Sequence, residues 1–164
     1  MINELTPFEW ALLPLKKYAT FKGRAPRAEY WWFYLGTFIV SAVLKALDAL
    51  AGTGDAIGNV GSIALLLPWI AVTVRRLHDT ERSGWWILGL AVGVVAFIAL
   101  FVGLGLFGQG STAAAFTTGM VAILIILAAA ITLLVFMVLP GTEGPNRYGP
   151  DPYGRHDELE EVFA

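Results

Sequence analysis

The sequence predicts an all-α integral membrane protein: a four-helix transmembrane bundle preceded by an N-terminal interfacial amphipathic helix, with both termini cytoplasmic. Three observations predict it. Of 164 residues, 57% are hydrophobic and 15% charged, where a soluble domain of this length carries about a quarter charged residues. The apolar residues gather in four runs long enough to span a bilayer, at 30–50, 57–76, 85–107 and 119–139. The basic residues outside those runs fall in segments that one membrane orientation places together.

Composition also excludes. There is no cysteine, so disulfides, thiolate catalysis and cysteine-ligated metals are ruled out. A net charge of -2 gives no electrostatic reason to bind nucleic acid. The first basic cluster comes late, and the apolar run behind it lacks a small-x-small cleavage site. The first span is therefore expected to act as an uncleaved anchor.

The cytoplasmic N-terminal segment, 1–29, opens on Thr6-Pro7-Phe8-Glu9. Thr6 can cap, Pro7 suits the first turn, and Glu9 completes a capping box. A short helix should lie in the interface plane with Trp10 and the leucines dipping into lipid, limited or kinked at Pro14. Lys22, Arg24 and Arg27 then precede Tyr30, Trp31 and Trp32, the basic-then-aromatic edge of a spanning helix. Near the far end of the first run, Lys45 and Asp48 read as a snorkelling pair, with an intramembrane ion site as the alternative. Pro68 should free a carbonyl within the second run, for a neighbouring helix to satisfy.

Ser83 is a candidate N-cap for the third run. Gly89 and Gly93 form a weak GxxxG packing signal. The uncharged connector 108–118 reads as a loop, and Pro140-Gly141 ends the fourth run. The tail, 141–164, is rich in Gly and Pro, with six acids against Arg147 and Arg155. Loops and turns are expected there, with the last eight residues mobile. Pro68, Arg75 and Asp79 share their spacing with Pro140, Arg147 and Asp151. A repeat of two hairpins would explain this, but Gly and Pro would break helical geometry in the second copy.

Five basic residues precede the first span, three lie between Val74, where the uncharged part of the second span ends, and the third span, and two follow the fourth; the other is Lys45. The positive-inside rule places the termini and the loop 77–84 in the cytoplasm. Three polar segments then share one face: Arg24, Arg27 and Glu29; Arg75, Arg76, His78, Asp79 and Arg82; Asn146, Arg147, Tyr148 and Asp151. Arg75 and Asp79, at i,i+4, read as a helix-end pair reaching toward Arg24 and Arg147. Trp31, Trp32, Trp85 and Trp86 read as membrane-interface anchors. The arginines can serve as ordinary cytoplasmic anchors, as a clamp joining loop and tail, or as a site for phosphate in an anionic headgroup. Catalysis by His78 with Asp79 is disfavoured, because adjacent helical residues point about 100° apart. No metal set, P-loop or dinucleotide motif is present, so no metal or cofactor is expected.

FKGRAPRAEYWWF, LPWIAVTVRRLHDTERSGWW and PGTEGPNRYGPDP occur in that order. Together they resemble the bacterial inner-membrane family known as domain of unknown function 805, over roughly residues 8–153. RRLHD with SGWW carries most of the resemblance, NRYG with DP adds to it, and Ala25-Pro26 is a minor departure. The resemblance implies a small multi-pass protein of the bacterial inner membrane and supplies no catalytic residue or substrate.

The expected function is non-enzymatic: a membrane binding or accessory module whose cytoplasmic Arg/His/Asp cluster contacts anionic lipid headgroups or a partner protein. A homo-oligomer or a membrane-protein partner fits the same reading. The alternative is a small-solute or ion transporter or channel, acting as an oligomer. A membrane enzyme ranks third and would need a buried, solvent-reaching His78.

Overall fold

Among the described residues, five helices follow from the apolar runs and their punctuation: α1 (Pro7–Lys16), α2 (Arg27–Ala51), α3 (Ala56–Asp79), α4 (Trp85–Phe107) and α5 (Thr112–Val138). The structure, a computed structural model, describes residues 5–107 and 112–154. Among these there is no strand, only one bridge between Asn146 and Gly149. The helices α2, α3 and the Gly119–Val138 portion of α5 are long and apolar enough to cross a bilayer; α4 contributes a shorter apolar stretch, Trp85–Ala99. The connector read as a loop is partly helical, since α5 starts at Thr112. The alanines that follow are the strongest helix formers, and nothing in the uncharged segment breaks the ladder. Residues 155–164, including Arg155, His156 and the expected mobile end, lie outside the described residues.

The chain divides into two compact units: residues 1–83 with 139–164, and residues 84–138. In the second unit α4 and α5 pack as an antiparallel pair. Trp86 at the start of α4 meets Phe136 near the end of α5 edge-on, at 5.5 Å between ring centroids. Gly89 and Gly93 have nothing within 4 Å of where a Cβ would stand, so the GxxxG hosts no close helix approach among the described residues.

In the first unit α2 and α3 form a hairpin around a four-residue connector. Gly52 closes α2 in the left-handed region at φ 66°. Asp48, expected to snorkel beside Lys45, instead turns back over the start of α3. Its Oδ1 accepts from the Thr53 hydroxyl at 2.5 Å and from Ile57 N at 2.9 Å, and its Oδ2 accepts from Gly58 N at 2.7 Å. A carboxylate is favoured there, because the first amides of a helix have no helical partner and carry the positive end of its dipole.

The helix α1 carries the predicted capping box. Thr6 N donates to Glu9 Oε2 at 2.8 Å, and Glu9 N donates to Thr6 Oγ1 at 3.3 Å. Trp10 and Pro14 are buried within the unit, whereas Phe8, Leu15 and Tyr18 are exposed. Trp10 therefore docks α1 onto the hairpin rather than dipping into lipid. A Cβ added at Gly36 would stand 3.6 Å from Ala11 Cβ, so α1 crosses α2 closely there. On the other side, the Tyr18 hydroxyl donates to the Ala64 carbonyl of α3. That carbonyl lies four residues before Pro68, which lacks the N–H it would otherwise receive. Gly36 and Ala64 lie nine and fifteen residues from the Arg27 and Asp79 ends of their helices. At 1.5 Å per residue, α1 touches the hairpin about 14–22 Å along from its charged end.

Candidate functional site

The charged end of the hairpin is built from three segments: residues 22–29, the end of α3, and the tail 139–151. Helix α3 stops in a Schellman arrangement. Arg82 N donates to Leu77 O at 2.8 Å and Glu81 N to His78 O at 3.1 Å, with Glu81 at φ 58°. This left-handed residue turns the chain without glycine. Ala25 N donates to Arg75 O at 3.0 Å and Thr142 N to Asp79 O at 2.8 Å. The backbones of all three segments are thus joined before any side chain acts.

Asp79 is the centre of the side-chain network. Its Oδ1 accepts from Arg24 Nε at 3.0 Å and lies 2.9 Å from Arg24 Nη2; its Oδ2 accepts from Arg76 Nη1 at 2.5 Å. The same arginines reach the tail backbone. Arg24 Nη1 donates to Gly144 O at 2.6 Å and Nη2 to Thr142 O at 2.5 Å, while Arg76 Nη2 donates to Leu139 O. The planar guanidinium fork suits this task, serving a carboxylate and two carbonyls at once. A Cβ at Gly141 would collide with the Asp79 carboxylate, so the tail can pass this close only with glycine there.

The expected Arg75–Asp79 pair is not formed. Asp79 takes Arg76, at i,i+3, and Arg24. Arg75 points elsewhere and gives Nη1 to Glu29 Oε1 at 2.6 Å, with Lys17 Nζ 3.7 Å from Glu29 Oε2. The reason is geometric. Residues 75 and 76 are about 100° apart on the helix, so one faces the first turn of α2 and the other the tail. Arg75, Arg76 and Glu29 retain only 1%, 0% and 1% of their surface. Arg75 Nε and Nη2 have no hydrogen-bond partner among the described residues. A buried unmade hydrogen bond costs on the order of 1–3 kcal/mol.

His78 is half-buried. Its ring stacks on Tyr148 at 3.8 Å and 2°, and Nδ1 faces Gly23 O at 3.2 Å. A carbonyl only accepts, so Nδ1 carries the hydrogen. Asn146 ties the tail down: Nδ2 donates to His78 O at 3.0 Å and to Thr142 Oγ1 at 2.9 Å, and Oδ1 accepts from Tyr148 N at 2.9 Å. Arg147 donates to Glu81 O at 2.7 Å and lies 4.8 Å over the Tyr148 ring. The second copy of the P-x6-R-x3-D spacing thus sits in a turn rather than a helix. Asp151 is buried, and its Oδ1 accepts from Tyr153 N at 3.0 Å. Arg82 donates to Thr80 O at 3.2 Å.

Of the predicted polar residues, Arg24, Glu29, Arg75, Arg76 and Asp79 are buried, while Arg27 and Arg147 are exposed. Trp32, Trp85 and Trp86 are exposed; Trp31 is half-buried and edge-on to Tyr30 and Tyr34. Tyr18, Thr142 and the backbone of Leu139 and Gly144 were missed. Only Gly141 and Gly144, in PGTEG, signalled a close backbone approach. Among the described residues, no group of three or more His, Cys, Asp or Glu side chains converges on a metal position.

The geometry agrees in extent with the similarity to known proteins. A family model described as Protein of unknown function (DUF805) matches residues 18–150, which take in all three segments of the clamp as far as Pro150. Inner membrane protein YhaH of Escherichia coli (strain K12) is 36% identical over 149 residues, covering 88% of this chain and 96% of the relative. Inner membrane protein YhaI of the same strain is 34% identical over 145 residues, covering 88% and 95%. Uncharacterized protein YiiR of that strain is 32% identical over 138 residues, covering 80% and 85%. No solved structure matches the chain. With its apolar helices and its match across the clamp, the chain is a membrane protein that belongs to the DUF805 family.

Proposed function

We propose that the protein is a non-enzymatic, multi-pass module of the inner membrane, with both termini cytoplasmic, that holds anionic phospholipid headgroups against its cytoplasmic face. One observation carries this reading: the cationic residues at the charged end are sorted by exposure. Arg24, Arg75 and Arg76 are buried and paired internally, so their charges are used to fix the end of the hairpin and the tail. The cations left at the surface flank aromatics instead. Leu15-Lys16-Lys17-Tyr18-Ala19-Thr20-Phe21-Lys22 runs from the end of α1 into the loop before α2, and every residue in it is exposed except the half-buried Lys17. A basic segment interleaved with apolar side chains beside spanning helices is the chemistry that gathers anionic lipid, at about 1 kcal/mol per cation near the surface.

The clamp supplies the rigid base for that segment, since Lys17 lies 3.7 Å from the Glu29 that holds Arg75. A transport reading drew on Lys45 and Asp48 as intramembrane charges. Asp48 is occupied in capping α3, which favours the binding reading.

The test uses the full chain extracted in mild detergent, with native mass spectrometry of the lipids retained. Replacing Lys16, Lys17 and Lys22 with Gln should reduce retained phosphatidylglycerol and cardiolipin severalfold at an unchanged melting temperature. Unchanged anionic lipid in the triple variant would refute the proposal.

A further inference from the structure

At the opposite end of the α2–α3 hairpin a second polar feature stands apart from the clamp. A groove of about 180 Å³ is lined by Ser41, Lys45, Asp55, Gly58, Asn59 and Ser62. Lys45 is eighteen residues from the start of α2, about 27 Å along it. Ser41 and Lys45 are i,i+4 on α2, while Asp55, at the N-cap, and Asn59 and Ser62 share one side of α3. Gly58 forms the floor: a Cβ there would stand 3.9 Å from Lys45 Cγ, so the lysine stem lies across the glycine. Among the described residues, the side chains of Ser41, Lys45, Asp55 and Asn59 have no hydrogen-bond or ion-pair partner. Polar and ionisable side chains on spanning helices normally face a partner or a ligand, because lipid offers them none.

The charges decide what fits. The groove's lining holds one cation and one anion; the Asp48 carboxylate, 3.1 Å from where a Gly58 Cβ would stand, is taken up by the amides of Ile57 and Gly58. A purely anionic ligand would meet Asp55, and a purely cationic one would meet Lys45. A zwitterion with a phosphate at one end and an amine at the other satisfies both. Ser41, Asn59 and Ser62 supply further hydrogen-bonding groups. The volume suits a headgroup and not an acyl chain, and the groove lies near the end of a spanning hairpin, where headgroups are. The geometry points to a phospholipid with a zwitterionic phosphate–primary amine headgroup, its phosphate at Lys45 and its ammonium at Asp55, held in the leaflet opposite the clamp. A primary ammonium donates hydrogen bonds to Asp55, which a trimethylammonium cannot.

The full-length Lys16/Lys17/Lys22→Gln protein in detergent, whose basic segment no longer gathers phosphatidylglycerol, offered equal parts of phosphatidylethanolamine, phosphatidylcholine and phosphatidylglycerol, should retain phosphatidylethanolamine in native mass spectra, and the groove variants are compared in that background. Lys45→Gln should lower that retention roughly tenfold, the loss of one charge-assisted pair. Asp55→Asn should keep phosphate binding and erase the preference over phosphatidylglycerol. The triple Lys16/Lys17/Lys22→Gln variant should leave the phosphatidylethanolamine signal in place, which separates this site from the basic segment. Equal retention of the three lipids overturns the inference, as does an Asp55→Asn variant with an unchanged lipid ratio. A doubled mass without lipid preference would assign the groove to a second copy of the chain and overturns it too. Both variants sit on exposed positions, and an unchanged melting temperature verifies their folding. Should Lys45→Gln fail that check, the Asp55→Asn ratio decides alone.

Discussion

The Tyr18 hydroxyl donates to the Ala64 carbonyl, the acceptor that Pro68 leaves without its helical donor. A proline within α3 is thereby matched by a tyrosine just after the end of α1. Tyr18→Phe should destabilise the protein by about 0.5–1.5 kcal/mol, the net worth of one hydrogen bond, since it removes the donor that Pro68 cannot supply to this carbonyl. Pro68→Ala restores the N–H, so the same Tyr18 change should cost much less in that background. A double-mutant cycle on detergent unfolding measures the coupling, and additive effects would refute the link.

Arg24 gives its fork to one carboxylate and two tail carbonyls. Lysine has the charge without the fork. Arg24→Lys should therefore lose about 3 kcal/mol or more, close to the loss in Arg24→Ala, because Asp79 and the tail carbonyls are left under-paired in a buried site. Limited proteolysis should show faster cleavage after residue 139 in both variants. Full rescue by lysine would show that charge alone matters.

Glu81 ends α3 at φ 58°, a conformation that glycine adopts freely. Glu81→Gly should stabilise the protein by about 0.5–1 kcal/mol. Its backbone carbonyl would still accept from Arg147. The melting temperature is the measurement, and a drop would mean that the Glu81 side chain does more than turn the chain.

Glu9 predicts a pH dependence. The backbone N–H of Thr6, and then its hydroxyl, hold the Glu9 carboxyl below its ordinary value of 4.5. A depressed folded value means that the cap contributes fully above the ordinary value and loses its contribution as pH falls through the lowered one. Amide exchange at the start of α1 should accelerate in that acidic window. Glu9→Gln should remove the step.

The position of most elements was legible because apolar runs, prolines and the Thr6–Glu9 spacing are local signals. The capping box and the start of α4 at Trp85 needed nothing beyond the chain itself. The partners of the arginines were not legible. Arg75 and Asp79 have the right spacing, yet Arg24, fifty-five residues away, competes for Asp79. Glu29 competes for Arg75 across forty-six residues. The tail contacts were hidden for a different reason: Leu139, Thr142 and Gly144 take part through backbone carbonyls, which every residue possesses. Asp48 was misread because a carboxylate three residues from a lysine looks like an ion pair, while helix capping depends on where the next helix begins.

The clamp also has an order in time. Arg24 leaves the ribosome 120 residues ahead of the Gly144 carbonyl that it binds. Until then, Arg24, Arg76 and Asp79 stand at the end of the hairpin with one wall missing and open to water. Only after the last helix has been made do residues 139–144 follow and close that wall. Assembly therefore finishes at the charged end, and a chain truncated before the tail would leave Arg24 and Arg76 without the carbonyls of Leu139, Thr142 and Gly144.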